Sequence, residues 1–271
     1  DAFVAAALAG PTGRVIGVDM TEEQIEVARR HQQAVADALG HPTPTTEFLL
    51  GTMEDLAALG IQEGSVDVVI SNCVLNLAPD KAPVFAEIDR VLKTGGELYI
   101  SDVFVDRRLP EAVRRDEVLV GECLGGALYT EDFRRMMADL GWKDVRTVTE
   151  RPIEVEDADL RDRLGNARFS SATIRAFKLP DLIEDRCEDY GQVAIYRGGV
   201  EGQRHAFMLD DHHLFEAGRP MLVCGNSAAM VQDTRYGRFF DVLGDRSTHF
   251  GLFDCEPAPS AGGEAAAGSC C

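Results

Sequence analysis

The 271-residue chain lacks any unbroken run of about 18 apolar residues, the length a membrane-crossing helix needs. Its hydrophobic share of 45% is that of an ordinary soluble protein, enough for one large domain or two smaller ones. Positive charge is scarce. Lys and Arg number 27 against 46 Asp and Glu, a formal net charge of -19. A field of that sign repels a phosphate backbone, which argues against nucleic acid as a partner and does not penalise a cationic ligand. An even set of cysteines is missing too. The seven are Cys73, Cys123, Cys187, Cys224, Cys255, Cys270 and Cys271. An odd number in a chain this long argues against a secreted disulfide framework and for reduced, cytosolic thiols. No internal repeat, phosphate-binding loop or Ser-His-Asp arrangement is readable.

What is present is alternation. "GRVIGVD" (13–19) is a short apolar strand ending in an acid, and "TEEQIEVARRHQQAVADALG" (21–40) has a helical stripe of Ile25, Ala28, Val35 and Leu39. Thr21 and Gln24 have capping-box spacing, and Gly40 ends the helix. "TEFLLG" (46–51) is the next strand, "MEDLAALG" (53–60) a short helix or turn, and "SVDVVISN" (65–72) a buried strand. A helix over 80–96, a strand over 97–104, a helix over 130–142 and a strand over 143–150 follow. Strands alternating with helices predict an α/β fold, a mainly parallel sheet covered on both faces, over residues 1–150. Short strand-like runs from 151 to 255 predict a small α+β domain, and low-complexity residues 256–271 are expected to be disordered.

Ligands of open α/β sheets sit outside the carboxyl ends of the strands. Asp19, in "GVDM", is placed to accept hydrogen bonds from a ribose. Gly51, Thr52, Met53 and Glu54 follow the next strand, where an adenine ring could rest, and "SNCVLNL" (71–77) follows the one after. In "GECLGGALY", Cys123 stands beside a glycine pair that would allow close backbone approach to a ligand.

The succession "VIGVDM", "GTMEDL", "VDVVISNCVLNLAPDKAPVFAEIDRVLKTGGELYISDVF" and "YTEDFRRMMADLGW" resembles the S-adenosylmethionine-dependent methyltransferases of class I, with their Rossmann-like sheet. The resemblance implies S-adenosylmethionine as cofactor, with Asp19 and Met20 at the ribose, Thr52, Met53 and Glu54 around the adenine, and Asn72 near the methionine moiety. The family opens with a strand and a loop of the form acid-x-G-x-G-x-G, and this chain starts just after where that loop would end. Without that central strand its neighbours lose a ladder partner. The expectation is a fragment of a longer protein that binds the cofactor poorly.

A narrower resemblance covers nearly all of residues 13–255. "ISNCVLNL", "SDVFVDRRLP", "GECLGGALYTEDFRRMMADLGW", "GNARFSSATIRAFKLPDLIEDRCEDYGQVAIYRGG" and "LDDHHLFEAGRPMLVCGNSAAM" are similar to the arsenite methyltransferases. Trivalent arsenic is thiophilic, and when bound by two or three sulfurs it keeps a lone pair that can attack a sulfonium methyl group. Each ligand cysteine then needs access and a lowered pKa. Cys123 is the first expected ligand. The resemblance places a second in the segment matching "RFSSATIRAF", where this chain has Ser170, Ser171, Ala172 and Thr173, so Cys187 is taken as the partner. Cys73, which follows a strand at the cofactor site, reads as small buried filler with lining the pocket as the alternative, and Cys224 reads as core strand with a ligand role as the alternative, while Cys270 and Cys271 could capture arsenite from solution. Asp210, Asp211, His212 and His213 read as exposed polar strand residues. The expected function is arsenite methylation in the cytoplasm for arsenic detoxification, with glutathione or thioredoxin as reductant. The alternatives are methylation of another small molecule, such as a quinone or sterol, and a non-catalytic thiol module that sequesters arsenite.

Overall fold

The structure, a computed structural model, describes residues 1–255, so the expectations for Cys270, Cys271 and the tail lie outside the described residues. The chain forms two compact units, Asp1–Gln62 and Glu63 onward.

The first unit holds α1 (Ala2–Ala9), β1 (Val15–Asp19), α2 (Glu22–Leu39) and β2 (Thr46–Leu50). β1 and β2 pair in parallel from Val15 opposite Thr46 to Asp19 opposite Leu50. α2 buries Ile25 and Ala36. Its polar residues clip it to β2: Arg29 donates to the Phe48 carbonyl at 2.7 Å and Gln32 to that of Thr46 at 2.6 Å. Gly40 ends the helix as expected, in the left-handed region at φ 69°, which glycine adopts without a Cβ clash.

 The turn at Gly40 is closed by its N–H, which donates to the carbonyls of Ala36 and Asp37. The capping box at the other end does not form. The Asp19 carboxylate instead accepts the Thr21 N–H at 2.8 Å, because the acid ending β1 lies two residues upstream and reaches that donor first. "MEDLAALG" forms turns, with no helix.

The second unit begins with β3 (Val66–Asn72), α3 (Ala82–Val91), β4 (Leu92–Val105), α4 (Glu111–Arg114) and α5 (Glu117–Gly121). β5 (Leu128–Tyr129), α6 (Thr130–Asp139), β6 (Val145–Ile153), α7 (Ala158–Leu164) and β7 (Phe169–Phe177) follow. The sheet order is β3-β4-β7-β6, with β5 beside β4. β3 runs parallel to β4, and β7 runs antiparallel to both β4 and β6.

Two expectations change here. A domain boundary at residue 150 falls inside β6, and β7, from the half expected to form a separate domain, is hydrogen-bonded between β4 and β6. Apolar residues on both faces of β7 allow this: Phe169, Ala172, Ile174, Ala176 and Phe177 are all buried. β3 is not a buried strand. Among the described residues it pairs only with β4, and Ile70 is 45% exposed.

Beyond β7 lie β8 (Glu188–Asp189), β9 (Gln192–Tyr196), β10 (Ala206–Met208), β11 (Leu214–Glu216), β12 (Pro220–Val223), α8 (Gly225–Gln232), β13 (Phe240–Leu243) and β14 (Gly251–Leu252). β12, β9 and β13 form an antiparallel sheet, and β10 and β11 a hairpin. Tyr196, Phe207, Phe215, Met230, Tyr236 and Phe240 fill the core between them, with the Phe207 ring 4.7 Å from Tyr236 and 5.4 Å from Phe240. This is the small α+β part expected of the second half.

Candidate active site

The site grows from the carboxyl end of β3. Cys73 directly follows the strand, in the left-handed region at φ 54°. Its N–H donates to the Ser101 carbonyl at 2.8 Å, continuing the β3–β4 ladder one residue further. Cys73 is exposed, not the buried filler expected. Asn76, on the next turn, is buried. Its side-chain amide donates to the Val103 carbonyl at 2.6 Å and its backbone N–H to Asp102 at 3.3 Å. Burial pushes the Asp102 carboxyl up, against hydrogen bonds from the Val103, Asn76 and Leu75 N–H groups.

A second loop meets this one. Asp116 caps α5 by accepting the Val118 and Leu119 N–H groups at 3.1 Å. The chain then turns sharply, with the Leu124 and Gly125 N–H groups both donating to the Leu119 carbonyl at 2.9 and 2.7 Å. Cys123 sits in this turn at φ 60°, partly buried against Val103, Val105, Val113, Leu119 and Leu124. A Cβ on Gly126 would fall well inside the Asn76 carbonyl oxygen. The glycine pair therefore lets the Cys123 loop seat on the backbone of the Cys73 loop. It was expected to make room for a ligand.

The result seats the Cys123 thiol against the backbone of Cys73. The Cys123 thiol reaches the Cys73 carbonyl at 3.9 Å. Burial pushes both thiols above the ordinary range, and the charge of Asp102 adds to it. The lowered pKa expected of a ligand cysteine is not found at Cys123, because burial disfavours its thiolate and the Asp102 and Glu122 charges add to this.

Cys187 is placed elsewhere. It is buried, a free thiol hydrogen-bonded to the thiol of Cys224. Cys224 is not a strand residue but the N-cap of α8, its sulfur accepting the Ser227 N–H at 3.4 Å. The Cys187 bond lowers its pKa well below the thiol range against the effect of burial, helped by Arg146 and Ser227. Arg146 also bonds Asp144 at 2.6 Å and Asp210 at 2.9 Å, and Asp210 bonds His213 Nδ1 at 2.8 Å. "LDDHH" is thus a turn that buries Asp210 and His213 and exposes Asp211 and His212, not a strand of exposed polar residues. His213 Nε2 lies 3.3 Å from Ser227 Oγ, giving an Asp-His-Ser chain that no sequence spacing announces. Ser227 is fully buried, so the chain serves packing and charge and not nucleophilic attack.

In the first unit, Asp19 and Gly51 lie at the same end of the parallel pair, and the Gly51 N–H donates to the Asp19 carbonyl at 2.9 Å. Asp19, Met20 and Thr52 are exposed there, while Met53 and Glu54 are partly buried. An exposed carboxylate, an exposed thioether and a threonine hydroxyl at strand carboxyl ends fit a ribose and an adenine. Asn72, the last residue of β3, belongs to the second unit.

Comparisons with known proteins identify the family. A methyltransferase-domain family matches residues 1–141. The arsenite methyltransferase of Aquipseudomonas alcaligenes is 52% identical over 254 residues, 94% of this chain and 72% of that protein. The chain belongs to the arsenite methyltransferases. The Mus musculus arsenite methyltransferase is 42% identical over 241 residues, and the chain spans 63% of its length. The crystal structure of CrArsM, an arsenic(III) S-adenosylmethionine methyltransferase from Chlamydomonas reinhardtii, superposes with a TM-score of 0.90 at 52% identity, over 94% of this chain and 85% of that one. The fold is that of a class I methyltransferase, and S-adenosylmethionine is the methyl donor of this family. No described helix is long and apolar enough to cross a membrane.

Proposed function

We propose that this protein methylates trivalent arsenic held on Cys123, in the cytoplasm, in arsenic detoxification. The observation that carries this reading is the Cys123 thiol itself, held by a locked turn beside the carboxyl end of β3 in a chain of this family. Sequestration without methylation and methylation of an organic substrate remain the rival outcomes.

Arsenous acid needs no preformed thiolate. As an As–S bond forms and an As–O bond breaks, the thiol proton leaves with hydroxide as water, which suits a thiol whose pKa is raised. Arsenic keeps its lone pair. Bound S-adenosylmethionine supplies an electrophilic methyl group. Asp19 and Met20, with Thr52, Met53 and Glu54, would hold its ribose and adenine, and Asn72 its methionine part. The task of Cys123 is positional: to hold arsenic about 3–3.5 Å from the methyl carbon, in line with the leaving sulfur. Methyl transfer on the lone pair raises arsenic formally from the trivalent to the pentavalent state, so glutathione or thioredoxin is the proposed source of the two electrons that restore it.

Cys123→Ser tests the reading. Arsenite titration should lose its high-affinity site, and mass detection should find methylated arsenic from the parent protein with S-adenosylmethionine but at least 100-fold less from the variant, about 3 kcal/mol of lost transition-state stabilisation. Arsenite binding without methylated product identifies a sequestering module, and binding unchanged in Cys123→Ser overturns the ligand role.

A further inference from the structure

We infer that Cys73 is the second sulfur ligand of the same arsenic, so that Cys73 and Cys123 form a two-sulfur chelate at the carboxyl end of β3. This rests on the reading that arsenic binds at Cys123.

Three observations converge on the pair. First, Cys73 and Cys123 are the two non-glycine residues at positive φ among the described residues, at 54° and 60°. An L-residue in the left-handed region costs roughly 1–2 kcal/mol, a cost glycine avoids. Burial gives Cys73 little in return, since it is exposed. Strained, non-glycine residues of this kind collect at functional sites, and here both are cysteines.

Second, the two meet although 50 residues separate them in sequence. Packing holds them there. Cys73 is tied by its N–H to Ser101, and the Cys123 loop is seated through Gly126 on the Asn76 backbone. The Cys123 thiol lies 3.9 Å from the Cys73 carbonyl oxygen.

Third, among the described residues the other cysteines and the neighbouring strand offer no better partner, the Cys255 thiol reaching the Phe253 carbonyl at 3.8 Å. Cys187 and Cys224 are buried against each other. On β7, Thr173 faces Ser101 in register, and its hydroxyl lies 3.4 Å from that of Ser101. Those are oxygens, poorly matched to a soft metalloid.

The binding step balances without any change of oxidation state. Arsenous acid, As(OH)3, forms two As–S bonds and breaks two As–O bonds, and both thiol protons leave as water with the displaced hydroxides. One hydroxide and the lone pair stay on arsenic. The second bond is intramolecular, so its effective concentration raises affinity about 100- to 10,000-fold over one thiol. The substrate class follows: trivalent arsenicals with at least two exchangeable ligands, such as arsenous acid and monomethylarsonous acid. Dimethylarsinous acid has one and cannot bridge the pair.

The full chain, kept reduced with a phosphine so that no small thiol fills the coordination shell, is titrated with arsenite and studied by X-ray absorption. Cys73→Gly is the central variant, because glycine removes the thiol and relieves the left-handed strain together. Its thermal midpoint should match or exceed that of the parent, which separates ligand loss from misfolding. The expected result is two sulfurs per arsenic in the parent, one in Cys73→Gly, and affinity weaker by about 100-fold or more. Dimethylarsinous acid should bind both proteins about equally. Two sulfurs and parental affinity in Cys73→Gly would overturn the proposal, as would loss of the second sulfur in Cys187→Ser alone. If Cys123→Ser also binds arsenite like the parent, the underlying reading fails and not only the role of Cys73.

Discussion

Cys123 was legible in the sequence because "GECLGGALY" carries its identity locally. Its neighbour was not, because nothing in the sequence says that two loops 50 residues apart will touch. Gly126 is what lets them touch. Gly126→Ala puts a methyl group into the Asn76 carbonyl, so overpacking should cost about 1–3 kcal/mol, read as a lower urea midpoint. Arsenite affinity should fall as well, since the Cys123 loop must lift. Thiol titration belongs to the same scale. Burial is the larger cause of the raised Cys73 and Cys123 pKa values, and Asp102 the next. Iodoacetamide labelling of both thiols should therefore show a midpoint above the ordinary thiol range. Asp102→Asn should lower that midpoint without bringing it fully back. An unmoved midpoint would mean that the Asp102 charge does not reach the thiols.

At the scale of elements, most helices and strands could be read from periodicity, including α2 with its Gly40 stop and the β3–α3–β4 succession. The insertion of β7 between β4 and β6 could not, since antiparallel pairing at long range leaves no local mark. The buried cluster of Asp144, Arg146, Asp210 and His213 was equally hidden. It joins β6, the β10–β11 turn and, through Ser227, α8. Replacing Arg146 by Met leaves two buried carboxylates without their cation and should cost about 3–5 kcal/mol at pH 7. Asp210 sets the pH dependence. Burial pushes its carboxyl up, but the bond to His213 and the charges of His213 and Arg146 outweigh this and hold it well below the carboxylate range. A depressed folded pKa stabilises above the unfolded value, about 3.9, and the contribution fades as pH falls below it. The gap between Arg146→Met and the parent should thus narrow toward pH 3, as measured by urea unfolding at both pH values. An equal gap at both would remove Asp210 from the account.

For the whole molecule, the two units differ in how much sheet supports them. β1 and β2 form a two-stranded sheet, whereas β4 is flanked by β3 and β7. A two-stranded sheet is marginal by itself, and local opening follows the sparsest packing. Amide hydrogen exchange should therefore be faster in β1 and β2 than in β4 and β7. Equal protection throughout would show a single cooperative unit.

The sequence by itself determined the alternation that makes an α/β methyltransferase fold, the strand-end acid Asp19, and the cysteine of the 120–130 loop. These are local: periodicity, turn residues and motif spacing are written in consecutive positions. Only the tertiary structure decided that Cys73 and not Cys187 stands beside Cys123, that β7 completes the sheet, and that Asp210 and His213 are buried. Each of these depends on which distant segments share an interior, and that is settled by the packing of the whole chain.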